Sequence, residues 1–245
     1  MDIGISSVNY LAVQKGSKPP DQNHAYGHEK IESLASYTQG GIILFFAGLI
    51  FAESVRRTIV KNFVLHSEMA LLTIGIAAVI NFLLTGILDR AERKTHSMIL
   101  KAEKVHYLMD IFSYVAIFVA LLLVRWTSWP GWDLVGGVLL AAYVALLAVQ
   151  ILIQAGNELV DRSLPKPALD ELDTLIKTHD SRIIDYHEMR TRKASGRTFI
   201  DFHLVMQPNQ RFEEAHAITE SLIQKIRSKF QNVDVTIHED PEGGP

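Results

Sequence analysis

Four apolar runs, 34–55, 68–88, 105–124 and 134–153, alternate with polar stretches along the first two thirds of the chain. Each is near the 17 to 25 residues that carry a helix across a bilayer, and the Gly and Ser inside them suit helices packed closely on one another. Residues 1–13 are also largely apolar, but a span needs about 20 residues. They read as the end of a helix, so the chain is expected to begin inside a membrane span. No charged n-region with a small-residue cleavage site is present, which argues against a signal peptide.

From Asn157 the pattern changes. Pro165 and Pro167 within a charged stretch predict a linker over 161–167. Beyond it, Leu169, Leu172, Leu175 and Ile176 form a helical stripe over 168–178, and residues 183–191 and 198–206 alternate as strands around a turn at 193–196. Ala215, Ile218, Leu222 and Ile226 mark a second helix over 212–230, and 233–237 reads as a last strand. The order α-β-β-α-β suits a ferredoxin-like α+β domain over 168–241. The expected fold is therefore an α-helical transmembrane bundle over 1–160, with a polar loop at 14–30, followed by that domain.

Composition agrees with this division. Hydrophobic residues make up 48% and charged residues 21% of the chain, which fits a membrane domain joined to a water-exposed one. A formal net charge of -3 leaves no basic face for nucleic acid. With no cysteine, disulfides, thiolate metal sites and cysteine nucleophiles are excluded, and a metal would have to be held by His, Asp, Glu or backbone oxygen. No His-Glu-x-x-His helix is present to support a membrane hydrolase, and no enzymatic activity is expected. Lys15, Lys18 and Lys30 of the first polar loop and Arg90, Arg93, Lys94, Lys101 and Lys104 of an expected loop over 89–104 lie on one side of the spans, against Arg56, Arg57, Lys61 and Arg125 on the other. The richer side is expected to face the cytoplasm, with the C-terminal domain.

Three sets of residues could carry chemistry. His106 and Asp110, four apart at the start of an apolar run, lie on one side of a helix and can reach one ion. Ionisable groups inside spans are costly and mark ion or proton pathways, although a mutual hydrogen bond that orients two helices is an alternative. Asp21, His24 and His28 supply one oxygen and two nitrogens in the polar loop, where they either converge on a divalent ion or are simply solvated. In the last domain, Asp201 and His203 fall on the strand face opposite Ile200, Phe202, Leu204 and Met206. His187, His216 and His238 join them, with Asp240 two residues after His238; the group makes one or two zinc-type sites, or is a set of surface histidines. Glu53 is expected to pair with Arg56 and Arg57, Asn81 and Gln39 to bond across helices, and Trp126, Trp129 and Trp132 to form an interfacial belt.

Taken together, these features resemble the cation diffusion facilitators, nearest their bacterial zinc and ferrous-iron efflux branch. The resemblance rests on the His106-x-x-x-Asp110 pair, on Asp21-x-x-His24-x-x-x-His28 and the following Gly27-His28-Glu29-Lys30-Ile31-Glu32-Ser33-Leu34. It rests further on His187-Glu188-Met189-Arg190-Thr191-Arg192 and Ile237-His238-Glu239-Asp240-Pro241. It implies a six-helix bundle, about four and a half helices of which are in this chain, with the first helix and the start of the second preceding Met1. It implies a tetrahedral transport site from an Asp-x-x-x-Asp pair and the His-x-x-x-Asp pair, in which His106 and Asp110 are the second pair and Asp2 the later member of the first. Asp21, His24 and His28 would be a loop zinc site. His187, His203, His216, His238 and Asp240 would be a two-ion cytoplasmic site bridged by Asp240. The implied function is proton-coupled efflux of Zn2+, with Cd2+ or Fe2+ as alternatives, by a homodimer in the inner membrane whose cytoplasmic domain also binds the ion in a structural or regulatory role. A non-transporting metal-sensing regulator, or a partner subunit, is the alternative.

Overall fold

The computed structural model describes residues 2–60, 68–127, 129, 131–208 and 210–242, with side chains described for all of these except 2–8, 68–74, 117, 120–122, 124, 125 and 133. It divides into two compact units, Met1–Gly156 and Asn157–Pro245. The first unit holds helices α1 (Asp2–Gly16), α2 (Lys30–Val60), α3 (Glu68–Thr95), α4 (Met98–Thr127) and most of α5 (Gly131–Leu159). Among the described residues, Lys30–Val60 and Leu134–Leu159 are long and apolar enough to cross a membrane, with mean hydropathy 1.6 and 2.3.

Small residues let these helices approach. A Cβ on Gly40 would sit 3.1 Å from Leu152 Cγ, one on Gly156 would sit 3.4 Å from Tyr37, and one on Gly137 would overlap Ser54 Oγ. Residue numbers therefore rise on α2 as they fall on α5, which is antiparallel packing through small-residue contacts. Ile43 and Ala47 of α2, Ala102, Val105 and Met109 of α4, and Val144, Ala148 and Ile151 of α5 form the common core.

The polar stretch 89–104, expected as a loop, is instead almost wholly helical. The break between α3 and α4 is confined to His96 and Ser97, with His96 in the left-handed region at φ 52°. Its charges lie on helix faces that answer one another: Arg93 Nε is 2.8 Å from Asp89 Oδ2 one turn away, and Lys104 Nζ reaches Asp89 at 2.9 Å and Glu92 at 3.0 Å across the α3/α4 turn. Charge pairs at helical spacing extend helices beyond the apolar core, so apolar length understates helix length here. Glu53 pairs with Arg56 at 2.7 Å and Arg57 at 3.0 Å. In the outer turn the rings of Trp129 and Trp132 meet edge to face at 5.3 Å, with Trp126 and Trp129 exposed.

The second unit adds α6 (Lys166–Lys177), β1 (Ile183–Ala194), β2 (Arg197–Met206), α7 (Phe212–Lys229) and β3 (Val233–Pro241). Its sheet has the order β1-β2-β3, with β1 antiparallel and β3 parallel to β2, so α7 is the crossover. Leu172 and Ile176 of α6, Ile200, Phe202, Leu204 and Met206 of β2, Ile218, Leu222 and Ile226 of α7 and Val235 of β3 pack between helices and sheet as a ferredoxin-like two-layer core. The opposite sheet face carries Asp201 and His203, and on it the Phe199 ring is covered by the guanidinium groups of Arg192 and Arg197.

Candidate metal sites

Alternation along β2 and β3 places the cluster of the second unit. His203 and His238 are direct partners in the parallel register, so their side chains rise from the same face, away from the core. Asp240, two residues beyond His238, lies on that face as well. His187 reaches it from β1, where it pairs with His203. A bulge helps: Tyr186 and Met189, three residues apart, both pack on the core, which simple alternation forbids. The extra residue lies between His187 and Arg190, with Glu188 at φ 52°.

The ligating atoms of His187, His203 and Asp240 all lie within 4.8 Å of one another. His203 Nδ1 is 2.8 Å and His187 Nε2 3.2 Å from Asp240 Oδ2, while His238 Nε2 is 3.3 Å from Oδ1 of the same carboxylate. One oxygen of this carboxylate thus faces the His187 and His203 imidazoles and the other faces His238, an arrangement that could hold two ions bridged by Asp240. The hydrogen bond with His203 holds the Asp240 carboxyl below the usual carboxylate range, aided by the charges of His203, His238 and His187. His216 is not brought to this cluster. It is exposed on α7, its ring stacked on Phe212 at 6.1 Å, so within one chain the five-residue set reduces to His187, His203, His238 and Asp240.

The loop between α1 and α2 gathers the second cluster. Asp21 Oδ1 accepts hydrogen bonds from the backbone N–H of Asn23 at 2.9 Å and His24 at 2.7 Å, an Asx turn that fixes the carboxylate. These bonds, that from His24 first, hold the Asp21 carboxyl below its ordinary range. Gly27 then takes φ 94° and folds the chain back, so that His24 Nδ1 stands 3.2 Å from Asp21 Oδ1 and His28 Nε2 3.3 Å from Asp21 Oδ2. The rings of His24 and His28 are 4.4 Å apart. The donor set is one carboxylate and two imidazoles converging on one point, open to solvent at Asp21 and His24.

His106 and Asp110 lie one turn apart on α4, both half-buried. Asn81 of α3 donates its Nδ2–H to Asp110 Oδ2 at 3.2 Å, the expected bond across helices and one that orients the carboxylate. Asp2 belongs to α1, and its side chain lies outside the described residues. Sequence reading missed Asn9, Glu32 and Glu103, polar groups buried among α1, α2 and α4. The signal that could have found Asn9 and Glu103 is a polar residue two turns from a candidate ligand, Asp2 and Asp110 respectively.

Comparison with known proteins identifies the family of both units. The model of the cation efflux transmembrane domain matches residues 1–160, and that of the cation efflux protein cytoplasmic domain matches residues 164–242. The cation-efflux pump FieF of Shewanella oneidensis is 31% identical over 240 residues, covering 98% of this chain and 80% of the relative. FieF of Escherichia fergusonii is 30% identical over 241 residues, with the same coverage of 98% and 80%. The solved metal-bound C-terminal domain of the CzcD transporter from Thermotoga maritima is 20% identical, covering 33% of this chain and 98% of that one with a TM-score of 0.30. With both domains matched in order along nearly its whole length, the chain belongs to the cation efflux family, the cation diffusion facilitators.

Proposed function

We propose that this cation efflux protein exports Zn2+ from the cytoplasm in exchange for protons, with His106, Asp110 and Asp2 as ligands of the transported ion. The family moves divalent metal cations across a membrane and carries a cytoplasmic dimerisation domain. The observation that carries it is the half-buried His106/Asp110 pair on α4, with Asp110 oriented by Asn81. Imidazole nitrogen with carboxylate oxygen suits zinc-like ions better than calcium or magnesium, which prefer all-oxygen shells.

Proton exchange follows from competition for the same lone pairs. His106 and Asp110 must be deprotonated to hold a divalent ion, so protonation from the outer side releases it and metal entry from the inner side drives protons off. Two packings of the helices that open the site to alternate sides turn this competition into transport. The excess of lysine and arginine on the side of the C-terminal domain supports a cytoplasmic location for that domain, in a protein of the inner membrane. There the His187, His203, His238 and Asp240 cluster binds the same ion in a regulatory role.

The test is zinc flux into proteoliposomes under an imposed pH gradient. Flux that follows the gradient and disappears in Asp110→Ala is expected. Zinc bound only at the cytoplasmic cluster, with no flux, would overturn transport in favour of a sensing subunit.

A further inference from the structure

Three polar side chains meet inside the membrane unit where apolar packing would be expected. Asn9 of α1, Gln39 of α2 and Glu103 of α4 are 8%, 3% and 9% exposed. Asn9 Nδ2 donates to Gln39 Oε1 at 3.1 Å and to Glu103 Oε2, and Gln39 Nε2 reaches the same Glu103 oxygen at 3.5 Å. A second bond of this kind lies lower in the bundle, where Ser97 at the α3/α4 turn donates to buried Glu32 of α2. Burying a carboxylate among helices is costly unless donors meet it, so its placement here needs a reason.

Register supplies that reason. Asn9 is seven residues from Asp2 along α1, and Glu103 is seven residues from Asp110 along α4. Seven residues are two turns, or about 10 Å along the axis, and return to nearly the same helix face. Successive spans reverse direction, so α1 and α4 run oppositely. The step from Asn9 to Asp2 and the step from Glu103 to Asp110 therefore point the same way along the bundle. We propose that the Asn9–Gln39–Glu103 cluster is the positioning device of the transport site: it pins the axial register of α1 against α4 so that Asp2 stands level with Asp110 and His106. The inference rests on the reading of those three residues as the transport ligands. Gln39 ties the pin to α2, so the three helices move as one body.

Two arms test it on the full chain. Zinc affinity is measured by chelator competition in a background carrying Asp21→Ala and Asp240→Ala, which silence the other clusters. Asn9→Leu is expected to weaken binding by about 10- to 100-fold, the usual effect of losing an outer-shell support, while Glu103→Gln, which keeps an acceptor for Asn9, retains the affinity. Gln39→Leu takes the place of Asn9→Leu if that variant does not insert. Unweakened affinity in the inserted variant would overturn the inference. In the second arm, Asp2→Cys and Asp110→Cys are cross-linked with a short bis-maleimide in this cysteine-free chain. Adding Asn9→Leu is expected to lower this cross-link and to raise that of Asp2→Cys with His106→Cys or Tyr114→Cys, one turn to either side, and an unchanged pattern across the three pairs would overturn the register. Zinc flux that survives Asp110→Ala would overturn the transport reading itself, and the cross-link arm reports register separately from it.

Discussion

His203 and Asp240 meet across the parallel ladder of β2 and β3, with His203 Nδ1 2.8 Å from Asp240 Oδ2. The carboxylate accepts, so the imidazole donates, and a metal ion held here would take the place of that proton. The other oxygen of Asp240 faces His238 at 3.3 Å. One residue on β3 thereby joins both halves of the cluster.

Asp240→Ala should therefore remove zinc binding from the whole cytoplasmic cluster, a loss exceeding the about 10- to 100-fold typical of outer-shell partners. His238→Ala should spare the half formed by His187 and His203. Calorimetric titration of zinc into the full chain checks both, and equal losses in the two variants would contradict the bridging role.

The pH dependence follows from the same contact. Because the bond with His203 lowers the Asp240 pKa in the fold, its stabilising contribution is complete above the unfolded value of about 3.9 and is lost only as pH falls below it. Acidification from pH 7 to 5 leaves Asp240 ionised. Zinc should leave the cluster in that interval because protons compete with the ion for the imidazole nitrogens. Titrations in two buffers of different ionisation enthalpy should show proton release on binding, and metal retained unchanged at pH 5 would contradict this.

In the membrane unit, Asn81→Ala removes the donor to Asp110 Oδ2 without touching the ion. The expected effect is about a 10- to 100-fold loss of zinc affinity at the transport site, against abolished flux in Asp110→Ala. Proteoliposome flux at varied zinc concentration should show Asn81→Ala as a raised half-saturation.

Gly27→Ala should disable the loop cluster. At φ 94° an L side chain is strained, and a Cβ there would overlap the Glu29 carboxylate. A cost of about 1 kcal/mol or more opens the turn and separates His28 from Asp21, so zinc binding by a variant with only this cluster intact should fall. Unaltered binding would show that the turn tolerates the side chain.

The cytoplasmic core offers a stability test. Phe202 is 2% exposed, and its ring meets Tyr186 edge to face at 6.1 Å. Phe202→Ala should cost about 3–5 kcal/mol, the usual loss for a large core truncation. Thermal unfolding followed by near-ultraviolet circular dichroism measures it.

Element order and the type of each domain are legible in the amino-acid sequence alone. Apolar length and period depend on residues near one another in the chain, and both survive into the structure as α1 to α5 and the α-β-β-α-β unit. The loop triplet was legible for the same reason, since Asp21, His24 and His28 are joined by one turn. What spans greater distances was decided by tertiary structure. The charges of 89–104 read as loop because their partners lie across the α3/α4 turn, where Lys104 meets Asp89 and Glu92. The bulge at Glu188 appears only once β1 has paired with β2, and it is what lets His187 face the cluster while Met189 faces the core. His216 shares a residue type with the cluster, yet α7 carries it away. Asn9 and Glu103 are 94 positions apart, and no local period links them; packing alone brings them together, because a carboxylate buried among helices must find its donors wherever the fold supplies them.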